Sequence, residues 1–166
     1  MTFDDILARL EDFGCNLVEV TGGEPLAQKN VFDFISTLCN RNFTVLIETG
    51  GYVSTESVDS RAHLILDVKC PGSGEAARNH WPNLDRLRRD RDEVKFVIAG
   101  MTDWDWAKGI ISKYELETRC REILISPVHG IENLAELAEA VASSGLKVRL
   151  NLQLHKYIWG ADVHGV

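Results

Sequence analysis

The chain of 166 residues contains no long apolar run and no excess of positive charge. A membrane-spanning helix needs about 20 consecutive apolar residues, and no stretch approaches that length. The formal net charge is −7, which argues against a protein that coats nucleic acid, because such binding depends on many Lys and Arg contacts with phosphate. The opening carries Asp4, Asp5 and Arg9 and does not resemble a signal peptide. The sequence therefore predicts a cytoplasmic protein with neither a membrane nor a nucleic-acid partner.

Cysteine is scarce and widely spaced. The four cysteines, at positions 15, 39, 70 and 120, form no C-x2-C pair, so neither a zinc site nor a redox dithiol is indicated. The chain also has no G-x-G-x-x-G turn, which argues against a dinucleotide-binding sheet. It contains no linker, low-complexity segment or repeat of constant period. Residues 1–166 are therefore predicted to form a single domain.

The sequence does contain a regular alternation of amphipathic and short apolar segments. Thr2 is a candidate N-cap for the first helix and Gly145 a stop for the last. Helices are predicted at residues 2–13, 29–40, 54–60, 81–90, 103–114 and 131–142. Strands are predicted at residues 17–20, 43–48, 63–68, 93–99, 122–126 and 147–154. Such alternation predicts parallel strands with right-handed crossovers, and six strands suit an α/β fold of the partial (β/α)-barrel type.

Polar and glycine-rich groups follow the predicted strands, whereas the residues that begin the strands are unremarkable. These groups lie at residues 21–25, 48–51, 67–69, 126–127 and 153–156. In parallel α/β folds the carboxyl ends of the strands line the active site. The pattern therefore predicts one ligand-binding mouth at this edge of the sheet.

The Gly-Gly-Glu-Pro turn at residues 22–25 offers a physical basis for ligand binding. Two glycines permit positive φ and let a ligand approach the backbone closely. Pro25 fixes the turn and blocks further sheet pairing. Exposed amides and carbonyls there can hold a carboxylate or an ammonium group. A simple strand-to-helix connection is the alternative interpretation.

The motif Thr-Gly-Gly-Glu-Pro-Leu at residues 21–26 resembles the methionine-binding loop of radical S-adenosylmethionine enzymes. Four further motifs follow in order, at residues 48–51, 67–74, 92–98 and 153–157. This series is similar to the 7-carboxy-7-deazaguanine synthase family and spans essentially the whole chain. The implied fold is a partial barrel of the radical S-adenosylmethionine type.

The resemblance implies two groups of site residues. The implied cofactor-binding residues are Thr21, Gly22, Gly23, Glu24, Asp67, Lys69 and Ser126. The implied substrate-binding residues are Thr21, Glu48, Thr49, Gly50, Gln153 and His155, with the histidine holding a substrate carboxylate. Two alternatives remain open: Asp67 and Lys69 can form a structural ion pair, and His155 can be a structural histidine.

The resemblance also implies a reaction. Such enzymes are lyases of queuosine and deazapurine biosynthesis that convert 6-carboxy-5,6,7,8-tetrahydropterin to 7-carboxy-7-deazaguanine by ring contraction with loss of ammonia. Their implied cofactors are S-adenosylmethionine, a [4Fe–4S] cluster and Mg²⁺. The implied partners are a second copy in a homodimer and an electron donor such as flavodoxin or ferredoxin.

One departure from the family stands out. Radical enzymes of this class hold their cluster with three cysteines, typically spaced C-x3-C-x2-C, and no such motif occurs here. In the family this motif follows the first strand, so we expect that strand and the cluster loop to be missing and the chain as written to be inactive. No catalytic or metal-ligating residue is assigned. Two alternatives remain: an activase of a glycyl-radical enzyme, and a non-catalytic binding module that has lost the cluster.

Overall fold

The computed structural model describes residues 2–163, and its first helix follows the local sequence rules. Helix α1 (Phe3–Asp12) begins after Thr2, whose hydroxyl accepts a hydrogen bond from the Asp5 amide at 3.2 Å. The Asp5 carboxylate in turn accepts one from the Thr2 amide at 2.8 Å. This reciprocal capping box satisfies amides that the helix itself leaves free, and it confirms Thr2 as the N-cap.

Within residues 2–163 the structure forms one sheet of six parallel strands in sequential order. The strands are β1 (Leu17–Val20), β2 (Thr44–Thr49), β3 (His63–Val68), β4 (Glu93–Ile98), β5 (Glu122–Pro127) and β6 (Arg149–Leu150). The α/β class and the partial-barrel arrangement of parallel strands predicted from the sequence are confirmed.

Further helices and 3-10 turns connect the strands. The α-helices are α2 (Val31–Asn40), α3 (Met101–Lys113), α4 (Leu116–Arg119), α5 (Leu134–Ser143) and α6 (Leu154–Ile158). The 3-10 turns are Pro25–Ala27, Pro71–Ser73, Ala76–Arg78 and Trp81–Arg86. Among residues 2–163, none of the helices is both long enough and apolar enough to cross a bilayer.

The two faces of the sheet differ because successive strand side chains point to opposite sides. On one face Ile47, Leu66 and Phe96 are buried with the helices in the hydrophobic core. On the other face the side chains of Glu48 and Lys95 remain partly exposed. We call this second side the open face.

Two predicted helices were wrong. Residues 54–60 form turns, and the predicted helix at 81–90 is only the 3-10 segment Trp81–Arg86. The buried Asn83 side chain explains part of the difference. Its Oδ1 accepts a hydrogen bond from the Thr55 amide at 3.0 Å, and its amide nitrogen donates to Val53 O at 2.9 Å. These contacts between segments replace the local ladder of an α-helix.

The last predicted strand, at 147–154, was also too long. Pairing with β5 involves Arg149 and Leu150, and the Asn151 amide adds one hydrogen bond to Ile125 O at 2.8 Å. Beyond this point β5 ends at Pro127, which has no amide hydrogen for the ladder. The chain then turns into α6, so His155 lies on a short helix rather than at a strand end.

Candidate ligand-binding site

A depression at the carboxyl edge of β1, β2 and β3 brings together most of the predicted site residues. It has a volume of about 190 Å³. That is smaller than the roughly 300–1,000 Å³ typical of whole ligand pockets, so it can enclose only one end of a cofactor-sized molecule. Its lining consists of Thr21, Gly22, Gly23, Glu48, Thr49, Gly50, Asp67 and Lys69.

The glycine pair after β1 has the backbone conformation expected from the sequence. Gly22 has φ of 94° and Gly23 has φ of 57°, which is the left-handed region that residues with a Cβ rarely enter. No heavy atom of the described residues lies within 4 Å of the position that a Cβ would occupy on either glycine. Steric crowding therefore does not explain the glycines; backbone conformation does, and it leaves space for a ligand beside the loop.

Glu24 lies beneath this loop rather than facing the depression. Its carboxylate accepts hydrogen bonds from the Leu26 amide at 3.0 Å, the Thr49 hydroxyl at 2.7 Å and the Gly50 amide at 2.9 Å. The side chain is 6% exposed. Glu24 thus ties the loop after β1 to the end of β2, and both of its oxygens are already engaged within the protein.

Asp67 and Lys69 form an ion pair at the end of β3. Lys69 Nζ donates to Asp67 Oδ2 at 2.6 Å, as the structural alternative predicts. Asp67 Oδ1, however, is buried and has no hydrogen-bond partner among residues 2–163. Burial raises the pKa of the Asp67 carboxyl, and Lys69 offsets part of this increase. A buried oxygen without a partner is costly, which makes this carboxylate oxygen a candidate ligand contact.

Two asparagines that were not predicted from the sequence hold the loops around the depression by hydrogen bonds. Asn79 accepts a hydrogen bond from the Lys69 amide and donates one to Lys69 O, both at 2.9 Å. Asn83 donates to Gly51 O at 3.2 Å. Both lie in the segment 76–86, which therefore supports the loops after β2 and β3. The sequence gives little indication of this role, because asparagine is common in turns of every kind.

The remaining predicted residues lie elsewhere along the carboxyl edge. Ser126 is buried near the end of β5. Gln153 precedes α6, and its Oε1 is buried without a hydrogen-bond partner in the described part of the chain. His155 is exposed on α6. None of the three lines the depression. A second cavity, of about 340 Å³, lies after β4 and β5 between residues 99–101 and 128–133.

The described residues do not fit an iron–sulfur cluster. Within residues 2–163 no group of three or more His, Cys, Asp or Glu side chains is arranged to hold a metal ion. Cys15 is exposed, whereas Cys39, Cys70 and Cys120 are buried on separate elements. Burial raises the pKa of Cys70 and of Cys120 to about 12, which disfavours the thiolate form of both.

The fold defines an α/β protein of the partial (β/α)-barrel class, and the depression is a candidate ligand site at the carboxyl edge of its sheet. No protein-family model matches the chain, but individual proteins do. It is 43% identical over 168 residues to the 7-carboxy-7-deazaguanine synthase of Chlorobaculum tepidum, covering 100% of this chain and 76% of the relative. It is 36% identical over 180 residues to that of Koribacter versatilis, covering 100% and 79%. The synthase of Leptospira interrogans is 35% identical over 182 residues, with 100% and 74% covered.

The chain therefore belongs to the 7-carboxy-7-deazaguanine synthase family, and it spans about three quarters of the length of these relatives. Because the relatives are named as synthases, the family is one of enzymes. The resemblance predicted from the ordered motifs is confirmed.

Proposed function

We propose that this chain binds the cofactor and substrate of a radical S-adenosylmethionine lyase of queuosine biosynthesis. The proposed reaction converts 6-carboxy-5,6,7,8-tetrahydropterin to 7-carboxy-7-deazaguanine. The names of the relatives support the product. The observation that carries the proposal is the depression, where glycines in the left-handed conformation lie beside a buried carboxylate oxygen without a partner.

The geometry suits one end of S-adenosylmethionine. In our proposal the loop 21–24 holds the methionyl amino group with backbone oxygens, and Lys69 attracts the methionyl carboxylate. Asp67 Oδ1 accepts a hydrogen bond from a ribose hydroxyl. We propose that Ser126, near the second cavity, supports the adenine end. When bound and reductively cleaved, this cofactor supplies the radical that begins ring contraction. We assign the [4Fe–4S] cluster and Mg²⁺ no ligands among residues 2–163.

The proposed substrate contacts come from β2 and from the region around α6. Glu48, Thr49 and Gly50 face the depression. The unpartnered Oε1 of Gln153 supports a ligand contact on the α6 side. His155 is exposed, so its imidazole is accessible to a substrate carboxylate, and we assign it that role.

The proposed enzyme also needs protein partners and a cellular location. We propose a homodimer that receives its electron from flavodoxin or ferredoxin. We also propose a cytoplasmic location. The supporting observation is that all four cysteines are free thiols in the structure, as expected where thiols are kept reduced.

Equilibrium binding of S-adenosylmethionine, measured by calorimetry, tests the cofactor site. A hydrogen bond to a charged group contributes about 1.5–3 kcal/mol, so Asp67→Asn is expected to weaken binding about 10- to 100-fold. The matched control is Asp85→Asn, since Asp85 is an exposed partner of Arg119, and it should leave the affinity unchanged. Equal affinity for wild type and Asp67→Asn would contradict the assignment.

The coding sequence upstream of Met1 tests the catalytic part of the proposal. An in-frame C-x3-C-x2-C motif would support a radical enzyme. An intact upstream region without such a motif would instead support a binding module.

A further inference from the structure

A buried aspartate on α3 joins two loops at the carboxyl edge of the sheet, and the proposed function does not use it. Asp103, in the first turn of α3, is 3% exposed. Its Oδ1 accepts a hydrogen bond from the Gly72 amide at 2.8 Å, and its Oδ2 accepts one from the Ala99 amide at 3.0 Å. Gly72 follows β3 and Ala99 follows β4. One carboxylate therefore ties together the loops that leave two neighbouring strands.

Backbone pairing does not hold these two loops together. The register of β3 and β4 ends at the pair Val68 and Phe96, whereas β4 stays paired with β5 to its last residue. Asp103 thus bridges the two chains beyond the point where their ladder ends. Helix capping explains its bond to Ala99, which is four residues away. Capping does not explain the bond to Gly72, which is 31 residues away.

The contact is close enough to require a glycine at position 72. A Cβ there would lie 2.4 Å from Asp103 Oδ2 and 3.0 Å from Asp103 Cγ. Gly72 lacks the positive φ of Gly22 and Gly23, so close approach, rather than backbone conformation, accounts for this glycine. Because Asp103 is buried, a larger residue at position 72 would push the loop away from α3.

The two loops border the two cavities described above. Lys69, in the loop after β3, lines the depression, and Ala99 lines the second cavity together with residues that follow β5. Neighbouring strands lie about 4.8 Å apart, so a ligand that reaches from β3 to β5 must span roughly 10 Å. Such a ligand gains from both cavities only if the distance between them matches its length.

We propose that Asp103 is a positioning residue that fixes the distance between the depression and the second cavity, so that one extended ligand occupies both. The ligand class is an amino acid joined to a nucleoside, with the amino-acid end in the depression and the base in the second cavity. Asp103 itself lines neither cavity. The inference rests on the proposed function and adds to it how the two ends of the cofactor site are held in register.

Binding of the joined ligand and of its two halves to the purified chain tests this inference. The probes are S-adenosylmethionine, measured by calorimetry, and methionine and adenosine, measured by NMR titration, which detects weak binding. Asp103→Asn should weaken S-adenosylmethionine about 10-fold or more, because its side chain cannot accept hydrogen bonds from both backbone amides in the same geometry. The affinities for methionine and for adenosine should stay within about twofold, since each half needs only one cavity.

Gly72→Ala is an independent variant, because it disturbs the same contact and retains the carboxylate. It should give the same pattern with the three probes. The matched controls are Asp105→Asn and Gly109→Ala, both on α3. Asp105 is exposed and pairs with Lys108, and a Cβ on Gly109 meets no heavy atom of the described residues within 4 Å. Neither control should change any of the three affinities.

The outcomes separate this inference from the proposed function. If wild type does not bind S-adenosylmethionine, both fail. If wild type binds it but binds neither half, the cavities are not separate subsites and this inference alone is overturned. It is also overturned if the variants keep their affinity for S-adenosylmethionine, or if all three probes weaken equally, as a general loss of structure predicts. Urea denaturation checks folding, and Asp103→Asn, the milder change, decides if Gly72→Ala does not fold.

Discussion

Two buried aspartates at opposite edges of the sheet have contrasting surroundings. Asp92, just before β4, accepts four hydrogen bonds: from the Leu64 amide at 2.9 Å and from Arg88 N, Nε and Nη2 at 2.8, 2.7 and 2.7 Å. Asp67, at the end of β3, accepts one from Lys69 within the described residues, and its second oxygen has no partner there.

We interpret the different surroundings of Asp92 and Asp67 as a division of roles: Asp92 stabilises the fold, and Asp67 belongs to the proposed binding site. At the amino edge the carboxylate is fully satisfied and joins β3, β4 and the segment before β4. At the carboxyl edge Asp67 has an acceptor without a partner among residues 2–163, and it lies near the left-handed pair Gly22 and Gly23. In parallel α/β folds, function concentrates at the carboxyl edge and the opposite edge serves stability. The comparison predicts that substitutions at the two edges have different measurable effects.

The largest expected effect is on stability at the amino edge. Asp92→Ala should lower the free energy of unfolding by about 3–5 kcal/mol, because it removes a fully buried carboxylate on which the half-buried Arg88 guanidinium and the Leu64 amide both depend for hydrogen bonds. Urea denaturation measures this change. Asp90→Ala is the matched control, since Asp90 is exposed and pairs with Arg91 on the surface, and its effect should be far smaller. Similar losses of unfolding free energy in Asp92→Ala and Asp90→Ala would contradict the special role of Asp92 in stability.

The next effect is on substrate binding at the carboxyl edge. His155→Ala should weaken binding of the pterin substrate about 10- to 100-fold, because an imidazolium–carboxylate bond contributes about 1.5–3 kcal/mol. Affinity for S-adenosylmethionine should change little. His63→Ala, at the start of β3, provides a histidine control at the amino edge. Unchanged pterin binding, or equal weakening of both ligands, would make His155 structural.

A smaller effect is expected from replacing glycine by alanine at two positions, where the free energy of unfolding should change in opposite directions. Gly23→Ala should lower the free energy of unfolding by about 1–2 kcal/mol, because its φ of 57° is left-handed. Gly109→Ala, within α3 and with no neighbour within 4 Å of the added Cβ among the described residues, should raise it by about 0.5–1 kcal/mol. Thermal or urea unfolding of both variants checks the two signs. A stabilised Gly23→Ala would refute the conformational explanation.

The smallest effect concerns the pH dependence of stability at Asp67. Its pKa is raised in the folded state, so its contribution to stability is present below the ordinary aspartate pKa of about 3.9 and is lost as pH rises through the folded pKa. Asp67→Asn cannot ionise and should therefore gain stability relative to wild type as pH rises above about 4. Urea midpoints measured across this range provide the test. A constant difference between the two proteins would contradict the prediction.

Local sequence rules predicted the features that depend on nearby residues. The capping at Thr2, the positive φ of Gly22 and Gly23, and the alternation of helices with parallel strands are of this kind. The depression was anticipated because its residues follow successive strands. The turns at 54–60 were missed because Asn83, which holds Thr55, is distant in sequence. The early end of the last strand depends on Pro127 of the neighbouring strand, and periodicity within 147–154 contains no sign of it.

Strand order in the sheet follows strand order in the chain from β1 to β6. During synthesis, therefore, each new strand can join the strand that emerged just before it, and none has to insert between two strands already paired. Domains generally fold as units from the amino end as they are made, and short-range pairing lowers the entropy lost in closing each loop. The sequential sheet thus predisposes the protein to fold vectorially on the ribosome, one strand and crossover at a time.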